Sequence, residues 1–299
     1  MTEQLILMVS FRIDYITLSI NMNSHSIDDR LEQLLKCFEL KAHVFQAGPL
    51  NHPASFQSNR DLGYIHLLRK GKLLLKSKGA SPRLLDEPCV FFYMNAINHQ
   101  LLPQNNEVDL ICASFEFGAA LKNPLIKALP DMIILKQHKI PTLLKSLALL
   151  FDEASEFHCG RQAILDRQIE IIIIKLLRNL MDENRLQIGL LAGMADPRLA
   201  KAINAMHGAP ARQWSLEDLS QIAGMSRASF ARRFHNTVGS TPGNYLVEWR
   251  LGLAQSLLSR GKSVQYVADA VGYGSASAFS RVFTVRQGLS PSAWKKQYK

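Results

Sequence analysis

Hydrophobic residues between about residues 40 and 136 occur in short runs separated by turn-forming residues such as Arg69-Lys70-Gly71. The runs are "HVFQA", "LGYIHLL", "GKLLLKS", "CVFFYM", "VDLICASFEF" and "MIILK". Many short strands joined by regular turns predict a sandwich or a small barrel. Just upstream, "SIDDRLEQLLKCFEL" predicts a short amphipathic helix capped by Ser26 or Asp28.

From Pro141 to about Arg185 the hydrophobic period becomes helical. A wide apolar stripe, broadened by Ile171 and Ile174, follows the i, i+3, i+4, i+7 rule at Leu165, Ile169, Ile172, Ile173, Leu176, Leu177 and Leu180. One interpretation is that this helix packs on its own barrel. The other is that a second copy of the chain covers it, with the dimerisation candidates Ile169, Ile172, Ile173, Leu176 and Leu180.

From Asp196 onward helices dominate, and one unit occurs twice, as "SRASFARRFHNTVGSTP" and "SASAFSRVFTVRQGLSP". Five landmarks of the first copy reappear in the second: Phe230, Arg232, Phe234, Gly239 and Pro242 match Phe279, Arg281, Phe283, Gly288 and Pro291. A shorter helical run precedes each copy and ends at Gly224 or Gly272, where glycine allows a left-handed helix end. Two helices crossing at such a turn predict a helix-turn-helix. The segment "GLLAGMADP" before the first unit is expected to be a hinge.

Helical geometry, at about 100° per residue, determines which side chains face outward. The two phenylalanines of each copy lie on one face and predict a buried side. Arg232 and Arg281 point the opposite way, amid small side chains. Arginine can bond guanine O6 and N7 together, which is worth ~1–3 kcal/mol of discrimination. Cations at the sides or ends of the helices are better placed for phosphates: Arg227, Arg233, Arg286 and Lys295.

Between the copies, "NYLVEWRLGLAQSLLSRGK" predicts one continuous helix from about Asn244 to Arg260. Such a spacer is about 25 Å long. With the radii of the flanking helices, the separation approaches one DNA turn of ~34 Å. The two helix-turn-helix units are therefore expected to enter successive major grooves on one face of a duplex.

Charge is concentrated in the same region. Of the 299 residues, those from Asp196 onward hold 14 Lys and Arg against 5 Asp and Glu, whereas the remainder holds 21 against 20. Nearly all of the net charge of +10 therefore belongs to the last third of the chain. This distribution predicts an anionic partner for that part alone.

Residues from about Asp196 to Tyr298 resemble the AraC/XylS family DNA-binding domain, which has seven helices and two helix-turn-helix units. The stretch "VADAVGYGSASAFSRVFTVRQGLSPSAW" carries the resemblance at Ala268, Gly272, Phe279, Arg281, Phe283, Gly288 and Pro291. It implies base-facing positions at Ala228, Ala231 and Arg232 in the first unit, and at Ala276, Ser277, Ser280 and Arg281 in the second. Alanine departs from the larger polar residues often found there, so part of the specificity is expected to come from DNA shape.

The front half resembles the cupin-type sensor domain of one AraC subgroup through "YIHLLRKGKLLL", "CVFFYMNAINHQL" and "ICASFEFGAALKNPLIKALPDMIIL". This likeness implies a barrel that senses a small-molecule or redox signal and a following helix that mediates dimerisation. The effector-pocket candidates are His66, His99 and Cys112. RNA polymerase is counted among the candidate partners, beside double-stranded DNA and a second copy of the chain.

Catalytic cupins bind metal through His-x-His, a glutamate and a later histidine. Here His66 lacks the paired histidine of that motif, and His99 is the candidate for the later histidine. The two are either metal ligands or, more simply, polar residues that line a cavity. We expect no metal, no cofactor and no enzymatic activity. The scattered cysteines predict neither a zinc site nor disulfides. One of Cys37, Cys89 and Cys112 is a candidate redox sensor. The alternative is a small buried apolar residue, which the position of Cys112 in an apolar strand favours.

The expected fold class is a multi-domain α+β protein, with an N-terminal cupin-like β-barrel, a helical linker and a C-terminal all-α domain with two helix-turn-helix motifs. The expected ranges are 1–24 as an N-terminal extension, 25–140 as the sensor, 141–192 as the linker and 196–299 as the DNA-binding domain. Met22 is an alternative start, and Arg12 and Asp14 argue against a signal peptide. These features predict a cytoplasmic, sequence-specific transcription regulator. The alternatives are a cupin-type metalloenzyme with a basic tail and a DNA binder without sequence preference.

Overall fold

The computed structural model describes residues 31–57, 62–94, 97–118, 130–183 and 188–297. Within these residues, the N-terminal part contains nine strands in two antiparallel sheets with the orders β1-β8-β3-β6-β9 and β2-β7-β4-β5. The strands are β1 (Leu40–Pro49), β2 (Ala54–Phe56), β3 (Gly63–Lys70), β4 (Leu73–Ser77), β5 (Arg83–Leu85), β6 (Cys89–Tyr93), β7 (His99–Pro103), β8 (Asp109–Phe117) and β9 (Met132–Lys136). All six apolar runs fall on strands, as predicted. The short strands β2, β5 and β7 were not predicted.

The five-stranded sheet is buried on both faces, which explains why its strands are apolar almost throughout. Along β3, Ile65 and Leu67 belong to the core beneath the helices, whereas Leu68 belongs to the core between the two sheets. On β6, Val90 and Phe91 divide in the same way. Successive side chains of a strand point to opposite faces, so each strand contributes to two cores.

Two helices cover the outer face of this sheet: α2 (Leu144–Ser155) and, after a turn, α3 (Arg161–Asp182). The first follows two 3-10 turns at Gln137–Lys139 and Pro141–Leu143. Helix α3 lies along the edge strand β1 and satisfies some of its backbone groups. Asp166 Oδ1 accepts from Val44 N at 2.8 Å, and Glu170 Oε1 accepts from Ala42 N at 3.2 Å. An edge strand left unpaired would otherwise attract another chain.

Within the described residues the predicted upstream helix spans Glu32–Cys37 (α1), and its predicted caps at Ser26 and Asp28 lie outside them. The expected N-terminal extension, Met22 and the Asn123-Pro124-Leu125 segment also lie outside them. No helix within the described residues is long and apolar enough to cross a membrane.

The C-terminal part is helical, in agreement with the predicted fold class. It contains α4 (Leu190–Ala195), α5 (Pro197–Gly208), α6 (Leu216–Ile222), α7 (Arg227–Val238), α8 (Pro242–Ser259), α9 (Val264–Ala270), α10 (Ala276–Gln287) and α11 (Pro291–Gln297). The seven helices from α5 onward match the number that the AraC resemblance implies. Asp196 caps α5 by accepting from Arg198 N and Leu199 N, with Pro197 at the first helical position, as predicted.

The segment expected to be a hinge is a buried helix instead. All residues of α4 from Leu190 to Met194 are buried, and Gly189 N donates to Thr237 O in α7 at 2.8 Å. A Cβ at Gly193 would lie 2.7 Å from Val238, so only glycine allows this close packing. The apolar run in "GLLAGMADP" was an overlooked sign of burial, because exposed hinges are usually polar.

The helical part contains two hydrophobic cores, one for each of the repeated units. The core of the first unit, which includes Phe230, Phe234 and Trp249, is continuous with the core beneath the sheet. The second unit has a core of its own, which includes Phe279, Phe283 and Trp294. Phe38, directly after α1, packs edge-on against Trp249 of α8 with ring centroids 5.3 Å apart.

Candidate nucleic-acid interface

The first helix-turn-helix consists of α6 and α7. Ser215 caps α6 in a capping box with Asp218, and Ser226 caps α7 by accepting from Ser229 N. Between the helices, Gly224 has φ +62°, the left-handed conformation that the sequence predicted there. The second recognition helix of a helix-turn-helix is the one that enters the major groove, so α7 is the candidate in this unit.

The second helix-turn-helix consists of α9 and α10 and repeats this construction. Ser263 caps α9 and Ser275 caps α10, each through its hydroxyl. Helix α8 connects the two units with 18 residues, which corresponds to about 27 Å. Thr241 caps this connection, and Pro242 occupies its first turn, as the sequence predicted.

The two predicted base-contacting arginines have equivalent surroundings. Phe230 and Phe234, and their counterparts Phe279 and Phe283, are fully buried. Arg232 and Arg281 are exposed on the opposite side of each helix. Within the part of the chain that the structure describes, neither arginine makes a hydrogen bond, an ion pair or a ring contact. Both guanidinium groups therefore keep all their donors available for a partner outside the chain.

The other predicted base-facing residues are small and lie beside these arginines. Ala228 and Ser277 are exposed, whereas Ala231, Ala276 and Ser280 are partly buried. Ser277 Oγ lies 2.9 Å from Ser275 Oγ, so the cap of α10 already engages it. Such short side chains leave room for the helix to approach DNA closely, but they provide few contacts with bases.

Each of the four predicted phosphate contacts already has a partner on the chain. Arg227 pairs with Glu217 at 3.1 Å, Arg233 with Asp196 at 2.6 Å and Arg286 with Glu248 at 3.5 Å. Lys295 Nζ donates to Gly261 O at 2.6 Å and to Lys262 O at 2.9 Å. Carboxylates and carbonyl groups of neighbouring elements lie within reach of these side chains. The sequence could not show those neighbours.

The predicted effector candidates all face the space between the two sheets, but rings occupy that space. His66 and His99 are buried, with their Nε2 atoms 2.9 Å apart. Tyr93 and Phe56 stack on His99 with centroid distances of 4.2 and 4.7 Å. Cys112 is buried in the same core. The aromatic positions Phe56, Tyr64, Phe91 and Tyr93 alternate with residues of the opposite sheet face along their strands, a signal that the sequence analysis did not use.

The hydrogen bonds of the histidine pair identify its tautomers. His99 Nδ1 lies 2.8 Å from Ile97 O and must therefore carry a proton. Its Nε2 then accepts from the Nε2–H of His66, whose Nδ1 is buried without a partner in the described structure. Burial and the adjacent His99 lower the pKa of His66 well below its ordinary value, and burial lowers the pKa of His99 too. Both rings are therefore neutral at pH 7.

This arrangement does not fit a cupin metal centre. The two Nε2 atoms contact each other directly, and the nearby groups are aromatic. No group of three His, Cys, Asp or Glu side chains among the described residues is arranged to hold a metal ion. A catalytic zinc or iron site requires at least three protein ligands.

Three of the four cysteines are held as thiols. Burial raises the pKa of Cys37 to about 11, despite the opposing effect of Arg260. Burial, together with Glu87, raises the pKa of Cys89 to about 12, and burial also raises the pKa of Cys112. Oxidants react with thiolates, so these surroundings disfavour a sensor role for the predicted candidates. Cys159 is the exposed cysteine.

The five predicted dimerisation residues lie inside the chain's own core. Ile169, Ile172, Ile173, Leu176 and Leu180 are at most 4 % exposed, because the sheet, α2 and α4 pack against α3. This agrees with the alternative that the helix packs on its own barrel. The exposed apolar residues of α3 are Ile164 and Ile171, at 41 and 49 %.

Two family models support the two-part architecture. A cupin family model matches residues 29–182, and a helix-turn-helix domain model matches residues 219–297. The DNA-binding domain of AdpA, a global transcriptional factor solved in complex with a target DNA, is 35% identical over 34% of this chain and 93% of that chain, with a TM-score of 0.33.

Two relatives carry the family assignment. A putative AraC-like transcription regulator of Streptomyces lividans is 32% identical over 64% of this chain and 65% of that protein, so the chain spans just under two thirds of its length. The HTH-type transcriptional regulator AlkR of Acinetobacter baylyi is 32% identical over 79% of this chain and 80% of its own length. Together with the cupin match, these similarities show that the chain belongs to the AraC family of transcription regulators with an N-terminal cupin domain.

Proposed function

We propose that this protein is a sequence-specific transcription regulator that binds double-stranded DNA through both helix-turn-helix units. The observation that carries the proposal is the matched pair Arg232 and Arg281. Each is exposed at the centre of a recognition helix, and neither has a partner in the described residues. Each guanidinium group would bond O6 and N7 of one guanine. The spacer α8 would hold the two contacts about one helical turn of DNA apart.

The charge of the C-terminal region supports an electrostatic contribution from phosphates. All five of its acidic residues already engage a partner on the chain: Asp196, Glu217, Asp218, Glu248 and Asp269. Exposed ion pairs are worth at most about 1 kcal/mol, so Arg227, whose side chain is 68% exposed, can exchange Glu217 for a phosphate. The predicted phosphate role of Arg227, Arg233 and Arg286 therefore stays a proposal. For Lys295 to bind a phosphate, its ammonium group must give up its hydrogen bonds to the carbonyl groups of Gly261 and Lys262.

The test is selection of preferred duplexes from a random pool with the full-length protein. Two guanine-containing half-sites about one turn apart should be enriched. Their affinity should exceed that for unselected duplexes by at least about 10³-fold at physiological salt. Equal affinity for selected and unselected DNA, with a steep dependence on salt, would instead identify a binder without sequence preference.

An effector site in the N-terminal domain is the second part of the proposal. An open cleft of about 470 Å³ is lined by Phe56 and His99, with Ser77 and Lys78 at its rim. It suits a small molecule whose apolar part contacts Phe56 and whose polar group faces the rim. In a thermal-shift screen, compounds that stabilise the wild type should lose their effect on Phe56→Trp, which fills the cleft. Hits that stabilise both proteins equally would place the site elsewhere.

A homodimer and contact with RNA polymerase complete the proposed role. The apolar side chains that remain exposed on the helical layer support a dimer surface formed by Ile164 and Ile171 of α3 and Leu149 of α2. Ile171→Glu should then shift the sedimenting species from dimer to monomer. An unchanged species would exclude this face. RNA polymerase is proposed from the regulatory role alone.

A further inference from the structure

The loop between α5 and α6 contacts α8 on one side. Arg250 of α8 donates from Nε to Pro210 O at 2.7 Å and from a terminal nitrogen to Arg212 O at 2.9 Å. Arg250 is only 7% exposed. One planar guanidinium group thus holds two carbonyl groups of a single loop, which fixes both the position and the orientation of residues 209–213.

The same loop contacts the turn of the second helix-turn-helix on its other side. Gln213 Nε2 donates to Gly272 O at 3.1 Å. Gly272 has φ +80°, and a Cβ at this position would lie 2.4 Å from Ala211 O. The absence of a side chain at Gly272 therefore permits direct backbone packing between the two units. The loop leads directly into the first unit, and Gly272 belongs to the second.

Arg250 has an unusual environment for a buried cation. No carboxylate pairs with it in the described residues, and burial lowers its pKa. The two carbonyl groups therefore compensate for much of its lost hydration. Lysine would keep the charge, but it lacks the rigid fork that spans both acceptors. An apolar residue would be the natural choice here if packing alone mattered.

The spacer helix by itself leaves the two units with one covalent connection. Their cores are separate, and α8 contributes Trp249 to one and Leu251, Ala254 and Leu258 to the other. Gly252 lies at this boundary inside the helix, where glycine weakens a helix by roughly 0.5–1 kcal/mol relative to alanine. The loop supplies a second connection beside α8. Two connections resist the twisting and bending that one helix would permit.

We propose that Arg250 and Gln213 are positioning residues that set the rotational phase between the two recognition helices, and with it the half-site spacing that the protein accepts. The inference rests on the proposed function. It assigns to the loop a role in specificity, although neither side chain lies on a recognition helix. Each inserted base pair rotates the second half-site by about 35°, so a fixed phase admits a narrow range of spacings.

The experiment measures binding of the full-length protein to a series of duplexes that carry the selected half-sites with zero to five inserted base pairs. For the wild type, affinity should fall steeply away from one spacing. For Arg250→Lys, affinity at that spacing should fall about tenfold. The variant should then bind duplexes with the neighbouring spacings about as tightly as the duplex with the preferred spacing. Gln213→Ala should change the profile in the same direction but less, since it removes one neutral hydrogen bond.

Two controls separate this role from general damage. A duplex with one half-site should bind all variants equally, because each unit keeps its own core. Arg198→Lys makes the same chemical change at an exposed position of α5 whose side chain has no partner among the described residues, and it should retain the wild-type profile.

The outcomes distinguish the two proposals. Wild-type spacing profiles in both Arg250→Lys and Gln213→Ala would overturn the positioning role while leaving the proposed function intact. Loss of single half-site binding by both variants would also overturn it, since the loop would then only stabilise the fold. A wild-type protein without sequence preference would contradict the proposed function itself. If Arg250→Lys does not fold, Gln213→Ala decides, because Gln213 is exposed.

Discussion

His207 illustrates how burial sets the chemistry of a single side chain. Its ring stacks on Trp249 with centroids 3.5 Å apart, and its Nε2 contacts the hydroxyl group of Tyr245. Burial lowers the pKa of His207 to about 3. Its ring is therefore neutral in the folded protein at physiological pH, and burial lowers the pKa of His66 and of His99 in the same direction.

We therefore predict that acid destabilises the protein, in part through His207. Below a pH of about 6.5 the unfolded chain binds a proton at this histidine that the folded chain does not bind, so stability decreases as pH falls. The contribution is about 1.4 kcal/mol per pH unit down to the folded-state pKa. The free energy of unfolding, measured with urea between pH 7 and pH 5, should therefore fall less steeply with decreasing pH in His207→Phe than in the wild type. The difference in slope should correspond to about one proton taken up on unfolding. Parallel profiles would contradict the neutral assignment.

The cysteines give a second prediction at this scale. Cys159 is exposed, whereas Cys89 and Cys112 are buried and Cys37 is partly buried. In the native protein at pH 8, iodoacetamide should modify Cys159 rapidly and the other three only after unfolding, because reactivity follows thiolate content and access. Peptide mass analysis provides the measurement. Rapid native modification of Cys37 would restore it as a redox-sensor candidate.

At the scale of elements, α8 connects three parts of the molecule. Its first half packs with the first unit and its second half with the second unit. Phe38 packs against it at Gly252, where a Cβ would lie only 3.0 Å from the ring. Ser256 Oγ also donates to Cys37 O at 2.8 Å. The start of the N-terminal domain thus contacts α8 at the boundary between the two units.

Removing the Phe38 ring should therefore cost much more than removing an exposed one. Phe38→Ala leaves a cavity against Trp249 and should lower the free energy of unfolding by about 3–5 kcal/mol. Phe157→Ala is the matched control, because Phe157 is 91% exposed and its loss should change stability by less than about 0.5 kcal/mol. Equal effects in urea unfolding would show that the contact of Phe38 with α8 contributes nothing.

Sequence patterns predicted local features well and tertiary neighbours poorly. The burial of Phe230 and Phe279 and the outward direction of Arg232 followed from helical geometry alone. The partner of Arg233 did not, because Asp196 is 37 residues away in the sequence. For the same reason, the sequence could not decide whether α3 packs on its own domain or forms a dimer. A wide apolar stripe has the same pattern whether a sheet or a second chain covers it. Likewise, neither His66 nor His99 reveals in the sequence that it bonds the other.

For the whole molecule, the central claim is that one chain presents two equivalent base contacts, fixed relative to each other by α8 and the loop at residues 209–213. Arg250 and Gly272 belong to this fixed geometry, whereas Arg232 and Arg281 belong to the contacts themselves. Substitutions in the two pairs of residues should have different effects on DNA binding. Changes in the first pair alter which spacing is accepted, and changes in the second alter which bases are preferred.

The most direct test of this claim is the base-preference profile of Arg232→Ala and Arg281→Ala over every position of the selected operator. Each variant should lose about 1–3 kcal/mol of discrimination at one guanine, the two positions should lie about one helical turn apart, and Arg227→Ala should leave the profile unchanged. If both variants weaken binding to all duplexes uniformly, or lose preference at the same position, the account is wrong.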